Sequence, residues 1–101
     1  MSKKQPLTPT EATAKIKLIV DQGDIKFSKH CRLESMPNRN VDDEDVIIVL
    51  ENGQVIEQAE WDSLHLTWKY KIEGLDLSGD ELRVITVIFD INFSLLIVTV
   101  F

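Results

Sequence analysis

Glycine and proline are scarce, four and three in 101 residues, which excludes collagen, linker and low-complexity classes. A single cysteine, Cys31, can make no internal bridge, so the disulfide framework of a small secreted domain is excluded too. The longest apolar runs, Val84 to Phe89 and Leu95 to Phe101, are of strand length and are interrupted by Thr86 and Thr99. Neither reaches the roughly eighteen residues that a membrane helix demands. The N-terminal segment also lacks the continuous apolar stretch of a signal peptide, so a cytoplasmic protein with no membrane association is expected. The sequence has no phosphate-binding glycine loop, no CxxC pair, no HExxH and no GxSxG. Positive charge is the minority sign: 11 Lys and Arg face 17 Asp and Glu, leaving −6 and a pI near 4.8. Taken whole, that balance speaks against a nucleic-acid binder.

What is present is the composition of one folded domain. Hydrophobic residues make up 44% and charged residues 28%, enough to bury a core in a chain of this length. Thr8-Pro9-Thr10-Glu11 combines a capping hydroxyl, a proline at the first helical position and a Glu that reaches back to the cap. Ala12, Ile16, Ile19 and Val20 then recur on one face, and Gly23 offers a left-handed stop, which predicts a helix over 9–22. Ile25 to Phe27 is a short apolar-polar-apolar segment. Ser28 can cap a short helix over 29–36 that ends before Pro37.

The segment 42–53 has two readings. Val46 to Leu50 is β-branched and Asn52-Gly53 is a favoured hairpin turn, which suits a strand. Asp42 as a cap, acidic residues in the first turn and Gly53 as a stop suit a helix, and the helix is preferred. Beyond Gly53 the chain reads as strands at 54–60, 65–73, 82–90 and 95–101, joined as an antiparallel meander through Leu77-Ser78-Gly79-Asp80 and Asp90-Ile91-Asn92. The last two are apolar on both faces and belong in the centre of the sheet; the first is polar and belongs at an edge.

The charges are unevenly divided. Residues 1–24 carry four positive and three negative charges, residues 25–40 four and one, and residues 41–101 three and thirteen. Lys26, Lys29, Arg32 and Arg39, joined by His30, therefore form a local basic segment on an acidic chain. No metal site is expected, because two His and one Cys are too few and His30 and Cys31 point about 100° apart on a helix. Cys31 reads as a small buried side chain, and Asp42-Asp43-Glu44-Asp45 as a helix N-terminus without the glycine of a calcium loop. Trp68, Tyr70 and Ile72 share one strand face and suit the core, although the Tyr70 hydroxyl also suits a groove.

The chemistry-bearing set is then His30, Arg39, Tyr70 and Arg83, with Lys29, Arg32 and Lys69 as phosphate-binding helpers. Cleavage of RNA by its own 2′-hydroxyl needs a base, a cation on the phosphate and an acid for the leaving oxygen. His near neutral pH, Arg with paired donors, and Tyr or Lys supply those roles without metal or other cofactor.

Several stretches carry a family resemblance: Lys29-His30-Cys31, Ser35 to Val41, Asp45-Val46, Gly53, Trp68 to Gly74, Gly79 to Leu82 and Ile97 to Val100. Together they resemble a large bacterial family of small uncharacterised domains that is itself similar to the BrnT and RelE toxins. The resemblance spans about 25–101, with 1–24 as an N-terminal helical extension. It implies an α+β fold in which about three helices pack on one face of an antiparallel sheet of four to five strands, in the order α-(β)-α-α-β-β-β-β. It also implies a toxin-like endoribonuclease paired with an antitoxin protein, with His30 and Arg39 at the family's His and Arg positions and Arg83 on a central strand. The alternative is a non-catalytic binding module on the same fold, whose acidic part meets a basic protein and whose edge strand accepts a partner's strand, with a homodimer among the partners.

Overall fold

The computed structural model describes residues 5–101; residues 1–4 of the N-terminal extension lie outside them. Helix α1, Pro9–Gln22, starts where the sequence predicts. Thr8 Oγ1 accepts from the Glu11 N–H while the Glu11 carboxylate accepts from the Thr8 N–H, so two otherwise unpaired donors are satisfied reciprocally. Strand β1, Asp24–Phe27, follows at once. A π-helical turn over Cys31–Ser35 then runs directly into α2, Met36–Arg39.

Pro37 does not end this helix. It occupies the first turn of α2, where a missing N–H costs nothing, and the π-turn before it has already moved the bonding from four to five residues: the Met36 N–H donates to the Cys31 carbonyl. Asn40 in the left-handed region ends the helix instead, with φ 55°.

Helix α3 spans Asp43–Asn52, capped by Asp42 and Asp45 in the same reciprocal way. The helical reading of 46–50 prevails because Val46, Val49 and Leu50 fall on one face and are fully buried, which outweighs β-branched propensity. Five further strands complete the sheet after α3: β2 Gln54–Val55 and β3 Glu60–Asp62, then the long β4 Thr67–Leu75, β5 Glu81–Phe89 and β6 Ser94–Val100.

Among the described residues the sheet has six strands in the order β1-β6-β5-β4-β2, with β3 also paired to β4. Two expectations are corrected here. The strand predicted over 54–60 is two short strands: β2 pairs with Ile72 and Glu73 of β4, the chain leaves the sheet at the exposed Ile56, and β3 rejoins β4 at Thr67 to Lys69. The sheet is mixed, because β1 pairs with β6 in parallel; a strand formed early in the chain can align either way with the last one, and no local pattern fixes which. The β4-β5-β6 meander and the central position of β5 and β6 stand as predicted.

Helices α1 and α3 cover one face of this sheet. Ala12, Ile16 and Ile19 meet Val46, Val49 and Leu50, and both sets lie over Ile72, Leu82, Val84, Leu95 and Ile97. Each of the Val, Leu and Ile side chains among them contributes about 1.5–3 kcal/mol on burial. α1 is thus part of the one core and not an appendage to it. Among the described residues no helix covers the other face. There β4 presents Lys69, Lys71 and Glu73, β5 presents Arg83 and Ile85, and β6 presents Leu96 and Thr99, by alternation from their buried neighbours; Val87 falls on the same side but is itself buried.

Gly23 is not left-handed, as the sequence reading expected; its φ is −116°. It is required by proximity. A Cβ there would lie 2.1 Å from the carbonyl oxygen of Phe93 in the β5–β6 turn. Gly53 serves the same purpose, with a Cβ falling 2.4 Å from the Glu73 carbonyl oxygen.

Candidate functional site

Ser28 positions the first of the predicted residues. Its hydroxyl donates to the Val98 carbonyl at 2.7 Å and accepts from the Cys31 N–H at 3.0 Å, so it caps the helical segment while fixing it to a bulge in β6. Val98 is the extra residue of that bulge, since Ile85 pairs with Thr99 and Thr86 with Ile97. His30, one residue before the π-turn, is held at the sheet margin. Its Nδ1 lies 2.9 Å from Glu34 Oε2 and its Nε2 3.4 Å from Thr99 Oγ1. Thr99 belongs to the uncovered face, because the next residue, Val100, is buried in the core. His30 is itself exposed, so proton exchange with solvent is open to it.

Arg83 stands on the same face, one row away. Thr99 pairs with Ile85, and two residues further along Phe101 exchanges both backbone bonds with Arg83 at 2.9 Å. Opposite Arg83 on β4 is Glu73, whose Oε1 lies 3.5 Å from Arg83 Nε and 3.8 Å from Lys71 Nζ. Lys71 also pairs with Glu57, and that hydrogen bond holds the Glu57 carboxyl below the usual range. The four groups make an alternating row Glu57, Lys71, Glu73, Arg83. An open depression of about 170 Å³ adjoins it, lined by Glu73 to Leu75 and Glu81 to Arg83.

The remaining predicted residues lie apart. Tyr70 is buried on the helix-covered face, where its hydroxyl accepts from the Leu7 N–H at 3.0 Å; burial pushes its pKa up. It therefore faces away from Arg83 through the sheet. Arg39 donates from Nη2 to the Glu81 carbonyl, the next oxygen along β5 past the Arg83–Phe101 pair, and so closes the end of the sheet. Arg32 makes a forked pair with Asp43 and stacks 4.1 Å above the Phe27 ring. Lys29 is exposed beside His30. Lys69 is drawn to Asp62, 3.3 Å away, at the far end of β4.

Sequence reasoning missed Lys71 and Glu73. The signal for them was available: the period of two that sends Trp68, Tyr70 and Ile72 inward sends residues 69, 71 and 73 outward. It also missed the pair at the β3–β4 turn, where Asp62 Oδ2 lies 2.8 Å from His65 Nδ1. That pairing depends on a hairpin the sequence did not announce. Among the described residues, no group of three or more His, Cys, Asp and Glu side chains converges to hold a metal ion. No helix among them is long and apolar enough to cross a membrane.

The model of the family described as Domain of unknown function (DUF4258) matches residues 27–101. The chain belongs to this family. No curated protein and no solved structure matches it. The DUF4258 match begins at the last residue of β1 and takes in His30, Arg39 and Arg83, as well as the Lys71–Glu73 row. α1 precedes it in sequence, although Ile16 and Ile19 sit at the centre of the domain's core.

Proposed function

We propose that this DUF4258 domain is a RelE/BrnT-like toxin domain, a metal-independent endoribonuclease working on the uncovered face of its sheet. The observation that supports this reading is the sharing of that face by His30 and Arg83 in adjoining rows, with Thr99 beneath His30 and Glu73 beside Arg83. In this reading the Arg83 guanidinium binds the scissile phosphate, exchanging part of its Glu73 contact for phosphate oxygens. Glu73 and His30 divide the two proton transfers: one takes the 2′-hydroxyl proton and the other protonates the 5′-oxygen as it leaves. The products are a 2′,3′-cyclic phosphate and a free 5′-hydroxyl. Lys29 extends the phosphate track on the helix side, and an antitoxin protein covers the same face in the resting complex. Arg39 and Tyr70 act on the scaffold: Arg39 closes the strand end and Tyr70 anchors the N-terminal segment.

The test is incubation of the purified protein with mixed RNA in excess chelator, followed by end-group analysis. Cyclic phosphate ends made by the wild type, lost about 100-fold or more in His30→Ala and Arg83→Ala and kept in Tyr70→Phe, bear the reading out. Intact RNA, together with unaffected growth when the protein is induced in a bacterium, overturns it.

A second reading rests on the pairing of Lys71 and Arg83 with Glu57 and Glu73, which leaves the face with little net positive charge beside the half-buried, apolar Ile85 and Leu96. On that reading the face is a protein-docking surface with no catalysis. A stoichiometric complex with an antitoxin that resists nuclease, formed by a chain without ribonuclease activity, distinguishes it.

A further inference from the structure

The edges of this sheet are not equivalent. Along β2 the Val55 N–H is taken by Thr13 Oγ1 at 2.9 Å. Beyond Ile97, β6 is flanked by the helical segment, with Ser35 Oγ accepting from the Val100 N–H at 3.2 Å and Arg39 taking the Glu81 carbonyl. Among the described residues β1 has no such cover and pairs with β6 alone. The N–H groups of Asp24 and Ser28 donate to the Phe93 and Ile97 carbonyls, so alternation in a parallel pair turns the backbone groups of Ile25 and Phe27 outward, away from β6. Ile25 and Phe27 pack their side chains against the core. Asp24 and Lys26 are exposed on the opposite face, and neither has an ion-pair partner among the described residues.

The charge order along this edge is self-complementary. When two copies of Asp24-Ile25-Lys26 run antiparallel about a two-fold axis at Ile25, each Asp24 stands directly across from a Lys26. Ile25 then meets its own copy through two N–H···O=C bonds, using the groups that β6 leaves outward. The Phe27 N–H faces the Gly23 carbonyl. The outer edge of β3 gives the opposite result. Self-pairing about Trp61 would set Glu60 against Asp62, like charges directly opposed, which is how an edge is kept from associating.

We propose that β1 is a dimerisation edge, joined antiparallel to β1 of a second copy of this chain to form one continuous twelve-stranded sheet. The isologous geometry needs a single self-complementary patch, and β1 supplies the backbone groups and the charge order together. The uncovered faces of the two copies become one surface, with Lys26 and Asp24 at its centre.

The experiment is sedimentation equilibrium or light scattering on the full chain over a micromolar to submillimolar dilution series. The wild type is expected to reach a dimer that weakens with added salt. Lys26→Asp and Asp24→Lys, made singly, oppose like charges twice per dimer and should raise the dissociation constant by about tenfold or more. The double variant Asp24→Lys with Lys26→Asp restores complementarity and should restore the dimer. Ile25→Pro removes an outward N–H without touching a bond to β6 and should give a monomer with the wild-type far-ultraviolet circular dichroism. A monomeric wild type across the series overturns the proposal. So does a dimer indifferent to the single reversals, or a double variant no tighter than either of them.

Discussion

The Tyr70 hydroxyl accepts a hydrogen bond from the backbone N–H of Leu7, 3.0 Å away and 63 residues earlier in the chain. Leu7 immediately precedes the Thr8 cap, so this bond fixes the entry of α1 to the middle of the sheet. Removing the hydroxyl in Tyr70→Phe leaves one donor unmatched and should lower stability by about 1 kcal/mol in denaturant titration. Tyr70→Ala also empties a buried aromatic site and should cost about 3–5 kcal/mol. Burial raises the Tyr70 pKa above its ordinary value. Its contribution is therefore complete below about pH 10 and is lost as pH rises through the raised value. Wild type should lose stability more steeply than Tyr70→Phe in that alkaline range.

Asp62 works in the other direction. The His65 ring and backbone N–H, and after them Lys69, hold its carboxyl far below the usual carboxylate range. The stabilisation is then present above the unfolded value of about 3.9 and disappears as pH falls through the depressed one. Asp62→Asn should destabilise the β3–β4 hairpin at neutral pH. It should also flatten the acid limb of the stability curve below about pH 4, read by chemical denaturation at successive pH values.

Gly23→Ala should be among the most damaging single-methyl changes in the chain. The new carbon would meet the Phe93 carbonyl oxygen at 2.1 Å and the Phe93 ring at 2.8 Å, which forces the β5–β6 turn off the end of α1. A loss of about 1–3 kcal/mol is expected from such overpacking. Gly79→Ala, with nothing within 4 Å of the new carbon but a φ of 84°, should cost about 1 kcal/mol through backbone strain alone. Thermal unfolding of the two variants separates contact from conformation.

Lys17 caps a helix that is not its own. Its ammonium donates to the Glu51 and Gly53 carbonyls at 2.8 and 2.7 Å, at the end of α3, while partial burial lowers its pKa. Lys17→Met keeps the stem and removes the donors. It should lower stability by about 1–2 kcal/mol, and amide exchange should accelerate first in the last turn of α3.

Local signals carried most of the architecture. Thr8 with Glu11 and Asp42 with Asp45 mark two helix starts because a capping box is written within four residues. The period of two in β4 likewise says which residues go inward, and Tyr70 follows it into the core although its hydroxyl left the question open. What could not be read depended on distant partners. The parallel pairing of β1, the break between β2 and β3, and the need for Gly23 all arise from contacts with the β5–β6 turn, with α1 or with β6. The candidate site divides on the same line. His30 was legible as an exposed residue on a short helix, while its neighbourhood with Arg83 comes from the Thr99–Ile85 register. Arg39, attractive in sequence as a cation near His30, is spent on a carbonyl that only the closed sheet presents.

The parallel seam between β1 and β6 also sets an order of events. Ser28 and Val98 are 70 residues apart, so this closure carries one of the largest loop entropies the fold can have. β4, β5 and β6 can pair through short turns well before it. On a ribosome, β1 must wait with both margins bare until β6 has emerged from the exit tunnel, and during that interval the Asp24-Ile25-Lys26 strand is open on two sides instead of one. Refolding should accordingly show α1 and the β4–β6 meander protected early, with the amides of β1 last.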